Sequence, residues 1–156
     1  HHITVYRPFS GYGEDQDHTY PFPSILMRAV KAENPMTVWG SGKQMRDFIY
    51  IEDCVTGMLK ISEQVGDGSG INLSTGIPTS FNDYATLAWK IVHGSEAGCN
   101  VRNTANKPEG VFGRYGSTAM QARYGFTAGV SFADGIKACH RYWRDYGLIP
   151  ASAAKA

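Results

Sequence analysis

An α/β fold built on a partial parallel sheet is what this sequence predicts, and three observations carry it. Short runs rich in β-branched and aromatic residues, "ITVYRPF", "MTVWG" and "INLST", alternate with longer segments of helical spacing. The helical segments are bracketed by start and stop residues, of which Ser80-x-x-Asp83 and Gly94 are the clearest. No internal repeat competes with a single α/β unit.

Taken in order, "ITVYRPF" is a strand that Pro8 ends by removing a ladder donor. In "SILMRAVKAENP", Ser24 can cap a helix with an Ile25, Leu26, Ala29, Val30 stripe, and Pro35 forbids its continuation. "MTVWG" and "DFIYI" read as a hairpin-like pair around the glycine-rich "GSGKQMR". Glu52 or Asp53 can cap the next helix, which carries Val55, Met58, Leu59 and Val65 and is expected to stop at "GDGSG". "INLST" is a strand. A capping box at Ser80 then opens a helix with Tyr84, Leu87, Ala88, Ile91 and Val92 inward. A strand around Val101, a loop, a short helix over 117–124 and a last helix over 131–146 complete the series.

At 156 residues the chain is the size of one domain, and such a chain buries roughly 68–70% of its unfolded surface. The expected division is one domain over 1–150 and a flexible tail over 151–156. Apolar residues make up 42% and charged residues 19%, which is the balance of a globular protein rather than a disordered one. No run approaches about 18 apolar residues, so no membrane span is expected and the default address is the cytoplasm. A net charge of +1 without a basic block gives no footprint for nucleic acid. Cys54, Cys99 and Cys139 are widely spaced and odd in number, which suits reduced, packed thiols. His18, His93 and His140 lack metal-ligand spacing, so no metal site is expected.

"GVFGRYG" at 110–116 spells Gly-x-x-Gly-x-x-Gly, but a dinucleotide loop must follow a strand directly and open a helix. Here Lys107, Pro108 and Glu109 lead in, and Phe112, Arg114 and Tyr115 crowd the interior. "SGKQ" lacks the glycine and the hydroxyl residue of a phosphate loop. Both stretches do place an arginine after glycines, Arg46 and Arg114. A guanidinium matches diphosphate oxygens through planar paired donors, whereas either arginine alone could equally be a solvated surface charge.

In order and spacing, "RPFSGYGEDQ", "VWGSGKQMRDFIYIEDCV", "GINLSTG", "PEGVFGRYGSTAM" and "YGFTAGVSFADGIK" resemble the C-terminal part of extended short-chain dehydrogenase/reductases, the NAD-dependent nucleotide-sugar epimerases and dehydratases. The likeness runs from residue 3 to about 147, and "GSGKQMRDFIYIED" is its most specific piece. It implies the C-terminal portion of a Rossmann-like fold with a small substrate-binding subdomain. It further implies that Arg46 and Arg114 contact a nucleoside diphosphate, that Asn72 bonds nearby and that Trp39 lines the nucleobase pocket. Tyr12 matches the family's Tyr-Gly turn near the substrate, and Ser10 stands where the family usually has asparagine. Asn72 could instead satisfy strand-end backbone, and Trp39 could be core.

The family's Tyr-x-x-x-Lys and TGxxGxxG occur nowhere in this sequence. No catalytic or cofactor-binding residue is therefore assigned to this chain, while NAD(P) is the cofactor the family implies. The first strand also arrives without a preceding helix, so the sequence reads as the second part of something larger. The expected function is binding of a nucleoside-diphosphate sugar on behalf of an isomerase or lyase, with this chain inactive by itself. A non-catalytic sugar-nucleotide or protein-binding module, or a truncated reading frame, stands as the alternative. Uncovered strands near residues 3–7 and 71–75 predict a homo-oligomer or a complementary N-terminal chain as partner.

Overall fold

The structure is a computed structural model that describes residues 2–149. Its strands are β1 (Ile3–Pro8), β2 (Met36–Trp39), β3 (Met45–Asp47), β4 (Asp67–Leu73), β5 (Pro78–Ser80), β6 (Val101–Thr104) and β7 (Gly113–Arg114). Its helices are α1 (Pro21–Val30), α2 (Ile51–Ser62), α3 (Phe81–His93), α4 (Ala119–Arg123) and α5 (Phe132–Asp145). The expected 151–156 tail lies outside the described residues. Two compact units emerge: one gathers the residues up to Tyr12, Met45–Thr79 and Gly113–Phe132, and the other Gly13–Gln44, Ser80–Phe112 and the chain from Ala133 on.

In the first unit β1 and β4 pair in parallel, with Tyr6 opposite Ile71 and Arg7 opposite Asn72. Period-2 alternation buries Ile71 and Leu73 completely, and they pack with Ile49, Cys54, Ile61, Val65 and Phe126. Helix α2 closes on this core at Gly57. A Cβ there would stand 2.8 Å from the Phe126 ring and 3.0 Å from Leu73, so only glycine permits the approach. A separate three-stranded sheet has the order β5-β3-β7, with β3 and β7 parallel.

In the second unit β2 pairs in parallel with β6. Helices α1 and α3 bury Leu26, Ala29, Tyr84, Ala85 and Ala88 against Met36 and Val38. The Phe22 and Tyr84 rings stack at 5.4 Å, and the Tyr84 hydroxyl donates to the Phe22 carbonyl at 2.7 Å. Helix α5 seats the fully buried Trp143, whose indole N–H donates to the Glu14 carbonyl at 2.8 Å.

Several local expectations are corrected. The "MTVWG"/"DFIYI" hairpin does not form: β2 joins β6, β3 joins β5 and β7, and Phe48, Ile49 and Tyr50 are consecutively buried rather than alternating. Gly40 and Gly42, both at φ +70°, turn the chain aside between the two segments. "GDGSG" does not merely stop α2; it builds the first half of β4, where glycine at position 70 leaves room for the Arg7 guanidinium. Ser24 and Asp53 are not caps. Helix α1 starts at Pro21, whose fixed φ suits a first turn, and α2 starts after Tyr50. The Ser80 cap and the left-handed Gly94 stand as expected, with the Ser80 hydroxyl accepting from the Asp83 N–H at 3.0 Å. Among the described residues no helix is long and apolar enough to cross a membrane, and no His, Cys, Asp or Glu cluster converges as metal ligands.

Candidate functional site

Strand β3 places Arg46 and Asp47 on opposite faces, as a period of two requires. Arg46 is paired in register with Arg114 of β7, so two guanidinium-bearing residues stand side by side on neighbouring parallel strands. Burial holds the Arg46 guanidinium below its ordinary pKa, and the Arg114 charge adds to that shift. Arg46 remains a cation at neutral pH. Arg46 directs Nη1 to the carbonyl of Met45 at 2.7 Å, which steers its side chain, whereas Arg114 is exposed. A half-buried cation beside a second one is a place where an anion relieves repulsion, and the strand pairing fixes it there.

The opposite face of β3 shows how the strand is held. Asp47 is wholly buried and accepts four hydrogen bonds from the turn after β4. Its Oδ1 takes the Thr75 N–H at 2.9 Å and the Thr75 hydroxyl at 2.6 Å; its Oδ2 takes the Gly76 N–H at 2.9 Å and the Ser74 hydroxyl. Gln121 of α4, also buried, brackets the Ser74 backbone, accepting its N–H at 3.0 Å and donating to its carbonyl at 2.8 Å. Asp53 similarly accepts the N–H groups of Gly129 and Val130 at 3.1 and 2.9 Å. The sequence reading missed Asp47, Gln121 and these roles. The available signal was an aspartate inside "RDFIYI", since a carboxylate among buried residues must find donors.

The remaining site residues distribute differently. Asn72 faces Arg7 rather than Arg46: its Oδ1 accepts from Arg7 Nε at 3.0 Å, across the β1–β4 pairing. Tyr12 is buried in an aromatic group, with ring centroids 5.5 Å from both Tyr50 and Phe132, while its backbone bridges Ile49 and Ile51. Ser10 adopts φ +40°, a left-handed conformation that asparagine tolerates better than serine. Trp39 belongs to the second unit and is 49% exposed, not core, with Lys107 Nζ lying 5.6 Å from its ring centroid.

The heptapeptide 110–116 makes no strand-turn-helix. Gly113–Arg114 are themselves strand, and α4 begins only at Ala119. A cleft of about 330 Å³ in the first unit is lined by Phe48, Thr75, Ile77, Thr79 and the 128–132 segment, and neither arginine is in its wall. All three cysteines are free thiols; burial pushes Cys54 up to about 11 and Cys139 up to about 12.

Residues 1–74 match the family model of the NAD-dependent epimerase/dehydratase family. That match takes in a little under half of the chain. It is 24% identical over 144 residues to a putative GDP-L-fucose synthase 2 of Arabidopsis thaliana, covering 87% of this chain and 43% of that protein. It is 30% identical over 98 residues to the ADP-L-glycero-D-manno-heptose-6-epimerase of Nitratidesulfovibrio vulgaris, covering 56% and 30% respectively. The fold matches UDP-glucuronic acid 4-epimerase from Bacillus cereus, solved with UDP-glucuronic acid and NAD, at a TM-score of 0.79 and 23% identity, over 92% of this chain and 46% of that one. The chain thus spans less than half the length of these epimerase/dehydratase relatives, and over that length it is Rossmann-like α/β, as the sequence predicts.

Proposed function

We propose that this chain is the nucleoside-diphosphate-sugar-binding portion of an NAD-dependent epimerase/dehydratase, with Arg46 and Arg114 holding the diphosphate. The observation that carries it is their register pairing on β3 and β7 beside the Asp47 anchor. Two guanidiniums on neighbouring strands offer paired donors to the oxygens of two phosphates, and each charge-assisted hydrogen bond contributes roughly 1.5–3 kcal/mol. Supporting it, the Bacillus cereus relative was solved with a UDP-sugar. Taken by itself, the second unit offers a stacking face for an aromatic base in the exposed indole of Trp39. In the whole enzyme NAD would supply the capacity to accept and return a hydride. This chain's own part is to bind and orient the sugar nucleotide.

A calorimetric panel of UDP-, GDP-, CDP- and dTDP-sugars against the purified chain tests the site and names the base. Saturable binding at one equivalent supports the assignment, and absence of heat with all four contradicts it. The partner proposed from the sequence, a second copy or a complementary chain, is supported by β1, which has β4 as its neighbour and leaves Ile3 and Val5 58% and 46% exposed. Val5→Lys is the substitution that probes this edge, because Leu73 is fully buried and a charge there would disrupt the core instead.

A further inference from the structure

Trp39 is the exposed tryptophan of this chain, for Trp89 and Trp143 are 7% and 0% exposed. Its ring is not bare, however. The turn that follows β6 returns over it, starting where the Lys107 N–H donates to the Thr104 carbonyl at 3.0 Å and setting the Lys107 ammonium 5.6 Å from the indole centroid. Two residues on, Glu109 fastens the turn to the loop that leaves β2. Its carboxylate accepts the Ser41 N–H at 3.1 Å and the Ser41 hydroxyl at 2.5 Å. Gly40 is shaped for this fastening: a Cβ at that position would stand 2.8 Å from both Cβ and Cγ of Glu109. These bonds hold the Glu109 carboxyl below its ordinary pKa, so it is ionised and engaged at neutral pH.

We propose that residues 105–110 are a strap closed over Trp39, in which Lys107 occupies the indole face that a nucleobase would take and Glu109, through Ser41, holds the strap shut. The inference rests on the reading of Trp39 as a base-stacking residue and adds to it a competitor and a latch. Magnitudes favour opening on binding. An exposed ammonium over an aromatic ring is equivalent to about two- to fivefold in an equilibrium constant, whereas a base stacked on an aromatic side chain is equivalent to about 5- to 150-fold. The base displaces the ammonium, and the strap sets how much affinity is lost in doing so.

Trp39 fluorescence reads both halves of the proposal. In the free chain, quenching by neutral acrylamide should rise in Lys107→Ala, which uncovers the ring, and in Glu109→Ala and Ser41→Ala, which release the latch; quenching unchanged in all three overturns the strap. In titrations with UDP and with GDP, Lys107→Ala should bind whichever nucleotide the parent binds about two- to fivefold more tightly. Unchanged or weaker binding overturns the competitor role, the latter by making Lys107 a direct contact. If neither nucleotide binds the parent or any variant, the base-stacking reading of Trp39 fails, and the acrylamide arm alone decides the strap.

Discussion

Replacing Asp47 with asparagine removes one charge and almost no volume, so its effect isolates the hydrogen bonds that hold β3 to the turn after β4. In the parent all four donors point at the carboxylate: two backbone N–H groups, Thr75 and Gly76, and two hydroxyls, Ser74 and Thr75. Asparagine keeps one acceptor oxygen, which can serve both Thr75 donors. Its amide nitrogen then faces the Gly76 N–H, donor against donor. The Ser74 hydroxyl escapes by turning fully to its second acceptor, the Gly116 carbonyl at 3.0 Å. Both bonds to Oδ2 are lost, the Gly76 N–H keeping only its longer bond to the Ser74 hydroxyl oxygen at 3.2 Å, and the two that remain lose their charge assistance, which together costs about 2–4 kcal/mol. For a chain of this length that corresponds to a fall in Tm of about 4–16 °C. Urea unfolding followed by circular dichroism should show the loss in the midpoint with an unchanged slope. A loss below about 0.5 kcal/mol would refute the reasoning, because it would mean the turn finds equivalent partners without the carboxylate.

Gly57→Ala should destabilise the chain by about 1–3 kcal/mol in the same assay, since its methyl group would press on the Phe126 ring and Leu73; a neutral result would show that α2 can lift without penalty. The thiols add a pH dependence at the alkaline end. Cys54 and Cys139 are raised in the folded chain to about 11 and about 12, so their contribution is full below the unfolded value of 9.0 and is lost as pH rises through the folded values. Stability should therefore decline above about pH 9, and at pH 8 iodoacetamide should modify the partly exposed Cys99 ahead of both; rapid labelling of Cys54 or Cys139 would contradict their burial.

Local chemistry made much of this fold legible. Ser80, Asp83 and Gly94 gave both ends of α3 because capping is decided within four residues, and "ITVYRPF" and "INLST" are strands that pair with each other in parallel, the alternation of the second facing a core. Strand pairing was less accessible. "MTVWG" and "DFIYI" are near in sequence, and nothing local reveals that each finds its parallel neighbour far along the chain, β6 for one and β7 for β3. In the candidate site, glycine-led arginines pointed to Arg46 and Arg114, but Asp47 and Gln121 stayed hidden because their donors and acceptors lie 27 to 47 residues away. Trp39 could be a pocket wall or core by its sequence, and it is exposed, since exposure is set by the loop around it and not by the residue.

The paired arginines are the centre of the account, and nucleotide-diphosphate affinity of Arg46→Ala and Arg114→Ala, measured by calorimetry beside the parent, tests them most directly. Each substitution removes one charge-assisted contact of roughly 1.5–3 kcal/mol, so each should weaken binding about 10- to 150-fold while leaving the circular dichroism spectrum unchanged. The two should also be non-additive in the double variant, because neighbours on paired strands act on the same anion. Binding by the parent that persists undiminished in both single variants would contradict the account and place the diphosphate elsewhere.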